Sequence, residues 1–319
     1  MKKRLRLFAT LILAVSGLFT LLGFLAKQAF LFDTIAQFRL QYALAAGMML
    51  LFFGVLRSLL LSSIAAVVLA VNLLFIVPLY LSDESVADAI SNSSIKVMSL
   101  NVLSANSDVA AVRQEIDDFQ PDILALQEIT PRWFVALADL STDYPYQVHA
   151  VREDNFGIWL LSKQPVTNEA IIPWGPAQLP AATFRYAAGN QSLQIVAVHP
   201  MSPADPEGVQ WRNEQLQQIA TFCKEIDDPL LIIGDFNTTS FSPVFEEFTQ
   251  QLGLKDSRRG FGLQCTWPAW GITPLMITLD HCLVSKSIQV VYHEVGSYVG
   301  SDHLPLCVEV VPPRLVSER

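Results

Sequence analysis

Leu230-Leu231-Ile232-Ile233-Gly234-Asp235-Phe236-Asn237 is the stretch on which the reading of this chain turns. Four aliphatic residues in a row, too few for a helix, read as a buried strand. The strand runs straight into a glycine, a carboxylate and an amide. Working outward, the same form recurs on both sides. Ile95–Leu100 ends in Asn101, Ile123–Gln127 in Glu128, and Ile195–Val198 in His199; Ile277–Leu279 leads to Asp280 and His281, and Gly300-Ser301 to Asp302 and His303. One aspartate after a strand is commonly a turn or a cap. Six such ends in one chain imply a shared rim, because layered strands bring their tips together where sites form.

Between these motifs the pattern alternates. Strands are predicted at Ile95–Leu100, Asp122–Gln127, Gly157–Leu161, Leu193–His199, Leu230–Ile233, Met276–Val284 and Leu304–Val311. Helices are predicted at Val109–Phe119, capped by Asn106 or Ser107 and stopped by Pro121, at Pro206–Ile226 and at Pro243–Leu252. Many strands with few helices between them predict an α/β fold of four layers, α/β/β/α: two packed mixed sheets flanked by helices.

The N-terminal quarter differs. Mean hydropathy over the chain is +0.36, and the excess lies before Ser82. Leu5–Ala26, Phe38–Leu56 and Leu59–Leu81 each approach the roughly 20 apolar residues that a membrane crossing needs. Arg57 and Ser58 break the last two, which predicts an antiparallel hairpin. Lys2, Lys3, Arg4 and Arg6 hold the N-terminus in the cytoplasm, and three spans then place the rest of the chain outside it. The first segment lacks a small-x-small cleavage site, so a retained anchor is expected over a signal peptide. The division is an anchor over 1–82, a linker over 83–94, a catalytic domain over 95–313 and a tail over 314–319, in the inner membrane, with the lipid bilayer the one partner of the anchor and no protein partner implied.

A formal charge of -9 argues against a broad nucleic-acid-binding face. Arg258-Arg259 is the only basic pair after the anchor and reads as a solvated loop. Cys223, Cys265, Cys282 and Cys307 fit no zinc spacing and read as buried small residues, with a disulfide open if the domain is exported. The rim of amide, carboxylate and imidazole groups is rich in hard oxygen donors, which select Mg²⁺ or Mn²⁺.

The series Ser99-Leu100-Asn101, Leu126-Gln127-Glu128, Val198-His199, Gly234-Asp235-Phe236-Asn237, Leu279-Asp280-His281 and Ser301-Asp302-His303 resembles the endonuclease/exonuclease/phosphatase, or DNase I-like, family in content and order. Phe156-Gly157-Ile158 and Thr266-Trp267-Pro268 fit too, and an N-terminal membrane block resembles a bacterial subgroup. The resemblance implies these roles: Glu128 as main metal ligand, with Asn101 beside it and Asp302 contributing; Asp235 to orient or deprotonate water; Asn237 to hold Asp235 or a phosphate oxygen; His303, polarised by Asp280, on the phosphate; and His199 on the non-bridging oxygens. Thr278 stands where many relatives carry Arg. Glu153 is a candidate acidic partner for His199, while His149, His281 and His293 read as structural. The physics agrees, since attack on an anionic ester needs cations and amide donors to neutralise charge, and a base near the water. The expected reaction is hydrolysis of a phosphodiester, in nucleic acid or a phospholipid head group. Phosphomonoester hydrolysis, or a non-catalytic tethered module of the same fold, are the competing readings.

Overall fold

A computed structural model describes residues 2–81, 94–189 and 191–313. The expected linker, apart from Ser94, and the tail lie outside the described residues.

The core follows from alternation. In β1 (Ile95–Asn101) Ile95 and Val97 face one way, while Met98 and Leu100 face the other. The same two-sided pattern runs through β2 (Ile123–Gln127), β7 (Gln191–Val198) and β8 (Leu230–Asp235). A strand buried on both faces must lie inside a stack of layers. Val97, Ile123, Ile195, Leu231 and Ile233 meet between the two sheets around Phe184. Met98, Leu124 and Trp159 pack outward on α5 (Val109–Phe119) and α6 (Pro131–Ala136). Val196, Ile232 and Leu283 pack on α8 (Pro206–Lys224) and α9 (Pro243–Leu252). The four-layer α/β/β/α sandwich is therefore present.

Each sheet has six strands. With β3 (Tyr146–Ala150), β4 (Ile158–Ser162), β11 (Gln289–Val295) and β12 (Leu306–Val311), the first runs β11-β12-β1-β2-β4-β3. With β5 (Val166–Trp174), β6 (Leu179–Ala188), β9 (Leu254–Asp256) and β10 (Asp280–Ser285), the second runs β5-β6-β7-β8-β10-β9. The cap of α5 is Asp108, whose carboxylate accepts from Ala111 N, and not Asn106 or Ser107. The four cysteines are free and buried, so no disulfide forms among them.

In the N-terminal block two helices are long and apolar enough to cross a membrane, Lys2–Leu25 and Leu59–Tyr80. The expected middle span is a bent pair, α2 (Phe30–Ala36) and α3 (Arg39–Val55), meeting at 64°. With α3 at 17 residues, it reaches about 26 Å, slightly under a bilayer core. α1 (Lys2–Leu22) and α4 (Leu59–Ile76) complete the block. α3 and α4 turn back on each other at Arg57, which adopts a positive φ of 53°. Arg39 is buried against the rings of Phe24 and Phe75 and donates to Thr20 O at 2.9 Å.

Phe184 fills the space between the sheets. Phe184→Ala is expected to cost about 3–5 kcal/mol in denaturant unfolding of the detergent-solubilised chain, against under about 0.5 kcal/mol for Val135→Ala on the exposed face of α6. Equal costs would contradict the inter-sheet packing.

Candidate active site

Strand direction explains why the polar residues meet. β1 runs parallel to β2, and β7 to β8, so Asn101, Glu128, His199 and Asp235 all reach one rim. β12 is antiparallel to β1 and β10 to β8, so their beginnings reach the same rim. Asp280 opens β10 in register with Asp235, and Asp302 and His303 precede β12. Two of the six polar elements thus sit at strand starts, as the predicted strand Leu304–Val311 implies for Asp302 and His303 and the predicted Met276–Val284 does not for Asp280.

Local backbone shapes the rim. Gly234 has φ +145°, and a Cβ there would lie 2.0 Å from Val198 O. Only glycine lets β8 lie this close to β7 just before Asp235. Gly157 is equally constrained, since its Cβ would meet Ile129 O at 1.9 Å. Glu128 and Asn237 adopt positive φ, 62° and 50°, a strained conformation that clusters at functional sites.

Asp235 is the centre. Its Oδ2 lies 3.5 Å from His199 Nε2 and 3.5 Å from His303 Nε2, and accepts from Asn101 Nδ2 at 3.2 Å. Its Oδ1 accepts from Asn237 N at 2.8 Å. Asn237 Nδ2 in turn donates to Pro200 O at 3.0 Å, which fixes the turn. Burial alone would raise the Asp235 pKa; the imidazoles of His303 and His199 and the Asn237 N–H hold it well below the usual carboxylate range.

His303 Nδ1 is 2.8 Å from Asp280 Oδ2. Burial alone would lower its pKa, but the carboxylates of Asp280 and then Asp235 hold it up at about 10. It is therefore an imidazolium at neutral pH, with Nε2 directed at Asp235. Asp280 is oriented from behind by Thr266, whose Oγ1 accepts from Asp280 N at 3.2 Å. Ser301 Oγ donates to Asn101 O at 2.6 Å and accepts from His303 N at 3.1 Å, binding the Ser-Asp-His element to the end of β1.

The expected metal donors lie on the same cavity, of about 640 Å³. Glu128 Oε1 accepts from Asn101 Nδ2 at 3.2 Å and Oε2 from Ser104 N at 2.7 Å. Asp302 Oδ2 accepts from Trp267 Nε1 at 3.1 Å, while its Oδ1 is buried and has no hydrogen-bond partner. Glu128, Asp235, Asp280 and Asp302 bring four carboxylates against one imidazolium. An orphaned buried carboxylate oxygen in such a setting fits a bound cation, and carboxylate and amide oxygens suit Mg²⁺ or Mn²⁺. Asp235, Asp280 and His303 also place ligand atoms within 4.8 Å of one another. That trio is better read as a hydrogen-bonded chain, since a protonated imidazole is not a ligand.

Several sequence expectations change. His199 Nδ1 is buried without a hydrogen-bond partner, so Glu153 does not serve it. Arg258 is not a solvated loop residue: it is buried and pairs with Asp256 at 2.8 Å. Thr278 donates to Gln264 O at 2.7 Å, a neutral contact. His281 and His293 are structural, as expected; burial pushes them down to about 4 and about 3, which keeps them neutral. His281 packs on Phe245.

The sequence reading missed what the N-terminal block contributes. Asp33, Thr34, Gln37 and Phe38 line the same cavity. Asp33 and Arg212 form a fully buried two-pronged pair at 3.0 and 2.8 Å. Arg212 also donates to Asn237 O at 3.2 Å, and Gln37 Oε1 accepts from Thr239 N at 2.7 Å. The available signal was Asp33 itself, the one charged residue in Phe30–Ala36.

A model of the Endonuclease/Exonuclease/phosphatase family matches residues 98–303. Among solved structures, an endonuclease/exonuclease/phosphatase from Bacteroides vulgatus is 18% identical at TM-score 0.57, covering 69% of this chain and all of that one. D. rerio TDP2 complexed with single-strand DNA product is 16% identical at TM-score 0.56, with 69% and 100% covered. The human Nocturnin catalytic domain with bound sulfate is 22% identical at TM-score 0.56, with 69% and 95% covered. At such identities the likeness establishes the fold. No curated protein matches the chain.

The raised His303 pKa has a signed consequence. Its pairing stabilises the fold fully below the unfolded value near 6.5, and that contribution fades as pH climbs through about 10. The His303 imidazole, followed by NMR in the detergent-solubilised chain, is expected to stay protonated at pH 8 and to titrate at a lower pH in Asp280→Asn. A wild-type titration below about 7 would contradict the pairing.

Proposed function

Because the chain belongs to the endonuclease/exonuclease/phosphatase family, and so to a family of phosphoester hydrolases, we propose that it is a membrane-anchored, divalent-metal-dependent phosphodiester hydrolase. The observation that carries this reading is the gathering of Glu128, Asp235, Asp302, His199 and His303 on one cavity wall, with an imidazolium and an unpartnered carboxylate oxygen among them.

Glu128 and Asp302 are the residues that would hold Mg²⁺ or Mn²⁺, joined by Asn101 once its amide, whose Oδ1 here accepts from Leu103 N at 3.0 Å, turns that oxygen to the ion. When bound, the ion supplies positive charge to a phosphate oxygen and lowers the barrier to attack. The chain's own groups do the rest. Asp235, ionised and fixed by four neighbours, accepts a hydrogen bond from the incoming water and takes its proton as the new P–O bond forms. The bond to the ester oxygen breaks on the opposite side, and the proton taken by Asp235 returns through solvent to the departing oxygen, which leaves as an alcohol. His303 presents an N–H to the phosphate, and its charge is kept by Asp280 at its other nitrogen. His199 presents Nε2 to the charge that builds on the non-bridging oxygens. Asn237 holds Asp235 through its main-chain N–H rather than its side chain.

The geometry of the anchor supports an extracytoplasmic catalytic domain. The carboxyl end of α1, the start of α3 and the end of α4 all adjoin the catalytic domain, through Lys27–Glu247, Gln41–Met276 and Leu79–Gly260. Lys2, Lys3, Arg4, Arg6 and Arg57 lie at the far end. That segregation of charge is the one that keeps the far end cytoplasmic in an inner membrane.

With Mn²⁺, the purified full chain is expected to hydrolyse bis-p-nitrophenyl phosphate, and EDTA to abolish the reaction. Asp235→Ala and His303→Ala should each lower kcat by roughly 10²–10⁴-fold. Full activity in either variant would remove that residue from the mechanism. Glu128→Gln is expected to weaken Mn²⁺ binding, measured by calorimetry, by about tenfold or more. Unchanged affinity would place the ion elsewhere.

A further inference from the structure

One wall of the catalytic cavity is not built by the catalytic domain. Asp33, Thr34, Gln37 and Phe38, from α2 and the bend into α3, close it. This wall is locked in place by the buried Asp33–Arg212 pair and by Gln37 on Thr239 N. Breaking such a buried pair strands a charge and is strongly unfavourable, so the wall and the catalytic rim stay together.

A loop fastened to the same block carries a second feature. After Trp267, which holds Asp302, the chain runs out into a loop whose Trp270, Ile272 and Leu275 are 68%, 66% and 66% exposed. Three large apolar side chains within six positions of a loop do not favour water. The loop is fastened to the N-terminal block, since Gln41 of α3 donates to Pro274 O at 3.2 Å and Met276 O at 3.1 Å. Its apolar tip is thus held beside the start of α3 in the N-terminal block. Inward from it, Ile277, Leu279, Phe38 and Phe156 give the cavity an apolar flank opposite its charged floor.

We propose that the substrate is an amphiphilic phosphodiester delivered from the bilayer, its phosphate over Asp235 and His303 and its hydrocarbon chain passing between Phe38 and the Trp270–Leu275 loop. Water adds to phosphorus and the P–O ester bond breaks, giving an alcohol and a phosphomonoester, so no other reactant is required. The inference rests on the hydrolase reading above. It uses what that reading leaves idle: an apolar flank, a wall borrowed from the anchor and a loop tip at the bilayer surface. A polyanionic nucleic acid would instead meet no Lys or Arg among the cavity-lining residues, and the guanidinium groups of Arg212 and Arg152 beside it are already paired with Asp33 and Asp154.

The test uses the full chain in vesicles of phosphatidylcholine and phosphatidylglycerol with Mn²⁺. The substrates are those long-chain lipids, their dibutyroyl counterparts, single-stranded DNA, and bis-p-nitrophenyl phosphate as a substrate without chains. Long-chain lipid is expected to be cleaved at least tenfold faster than its dibutyroyl counterpart. Trp270→Ser/Ile272→Ser/Leu275→Ser should remove that preference and leave bis-p-nitrophenyl phosphate turnover unchanged. An environment-sensitive dye on Ile272→Cys, the native cysteines being buried, should show a blue shift in these vesicles relative to the same dye on Val135→Cys, a position 74% exposed on α6. Cleavage of DNA with the lipids intact, equal rates for long and short chains, or no blue shift overturns the inference while leaving the hydrolase reading in place. Loss of bis-p-nitrophenyl phosphate turnover in the wild type overturns the hydrolase reading itself.

Discussion

Everything at this site hangs on one buried carboxylate. Asp235 lies at the end of β8 with almost no access to solvent, and it keeps its charge only because Asn101, Asn237, His199 and His303 converge on it. Those four come from β1, from the turn after Asp235, from the end of β7 and from the segment before β12. They can converge only if the two sheets face each other in the register seen here. The inter-sheet core around Phe184 and Ile233 is thus the foundation of the chemistry, and Gly234 is the point at which packing and catalysis share an atom's width of space.

Much of this was legible in the sequence. Runs such as Leu230–Ile233 and Ile195–Val198 are apolar on both faces, which declares a layered sheet, and each stops at a polar residue. That Asp280 opens a strand was not legible, because the apolar run Met276–Val284 reads as one strand straight through it and a linear pattern does not say which strands run antiparallel. Five strands, β3, β5, β6, β9 and β11, escaped notice, and for three of them the physical reason is plain. Pro173 and Pro180 interrupt β5 and β6, alanines dilute the apolar signal of β6, and edge strand β11 alternates with polar residues that solvent tolerates. Arg258 looked solvent-facing because its partner Asp256 and its neighbour Ser240 are recognisable only once the chain is folded.

The largest surprise is the reach of the N-terminal block. Asp33 and Arg212 are 179 positions apart, and neither neighbourhood advertises the other. Their pairing, with Gln37 on Thr239 and Leu79 on Gly260 and Gly262, turns an expected tether into part of the cavity. Arg212 touches Asp33 on one side and the carbonyl of Asn237 on the other, so anchor and Asp235 turn are two contacts of a single guanidinium. A domain cut at Ser94 would lack one wall of its own cavity.

The central claim is that the rim of Glu128, Asn101 and Asp302 holds a divalent cation beside Asp235 and His303. Anomalous scattering from crystals of the full chain grown with Mn²⁺ tests it most directly. The account predicts a peak about 2.1 Å from a Glu128 carboxylate oxygen, adjacent to Asp302. A peak outside this cavity, or an empty rim in crystals that hold Mn²⁺ elsewhere, would contradict it.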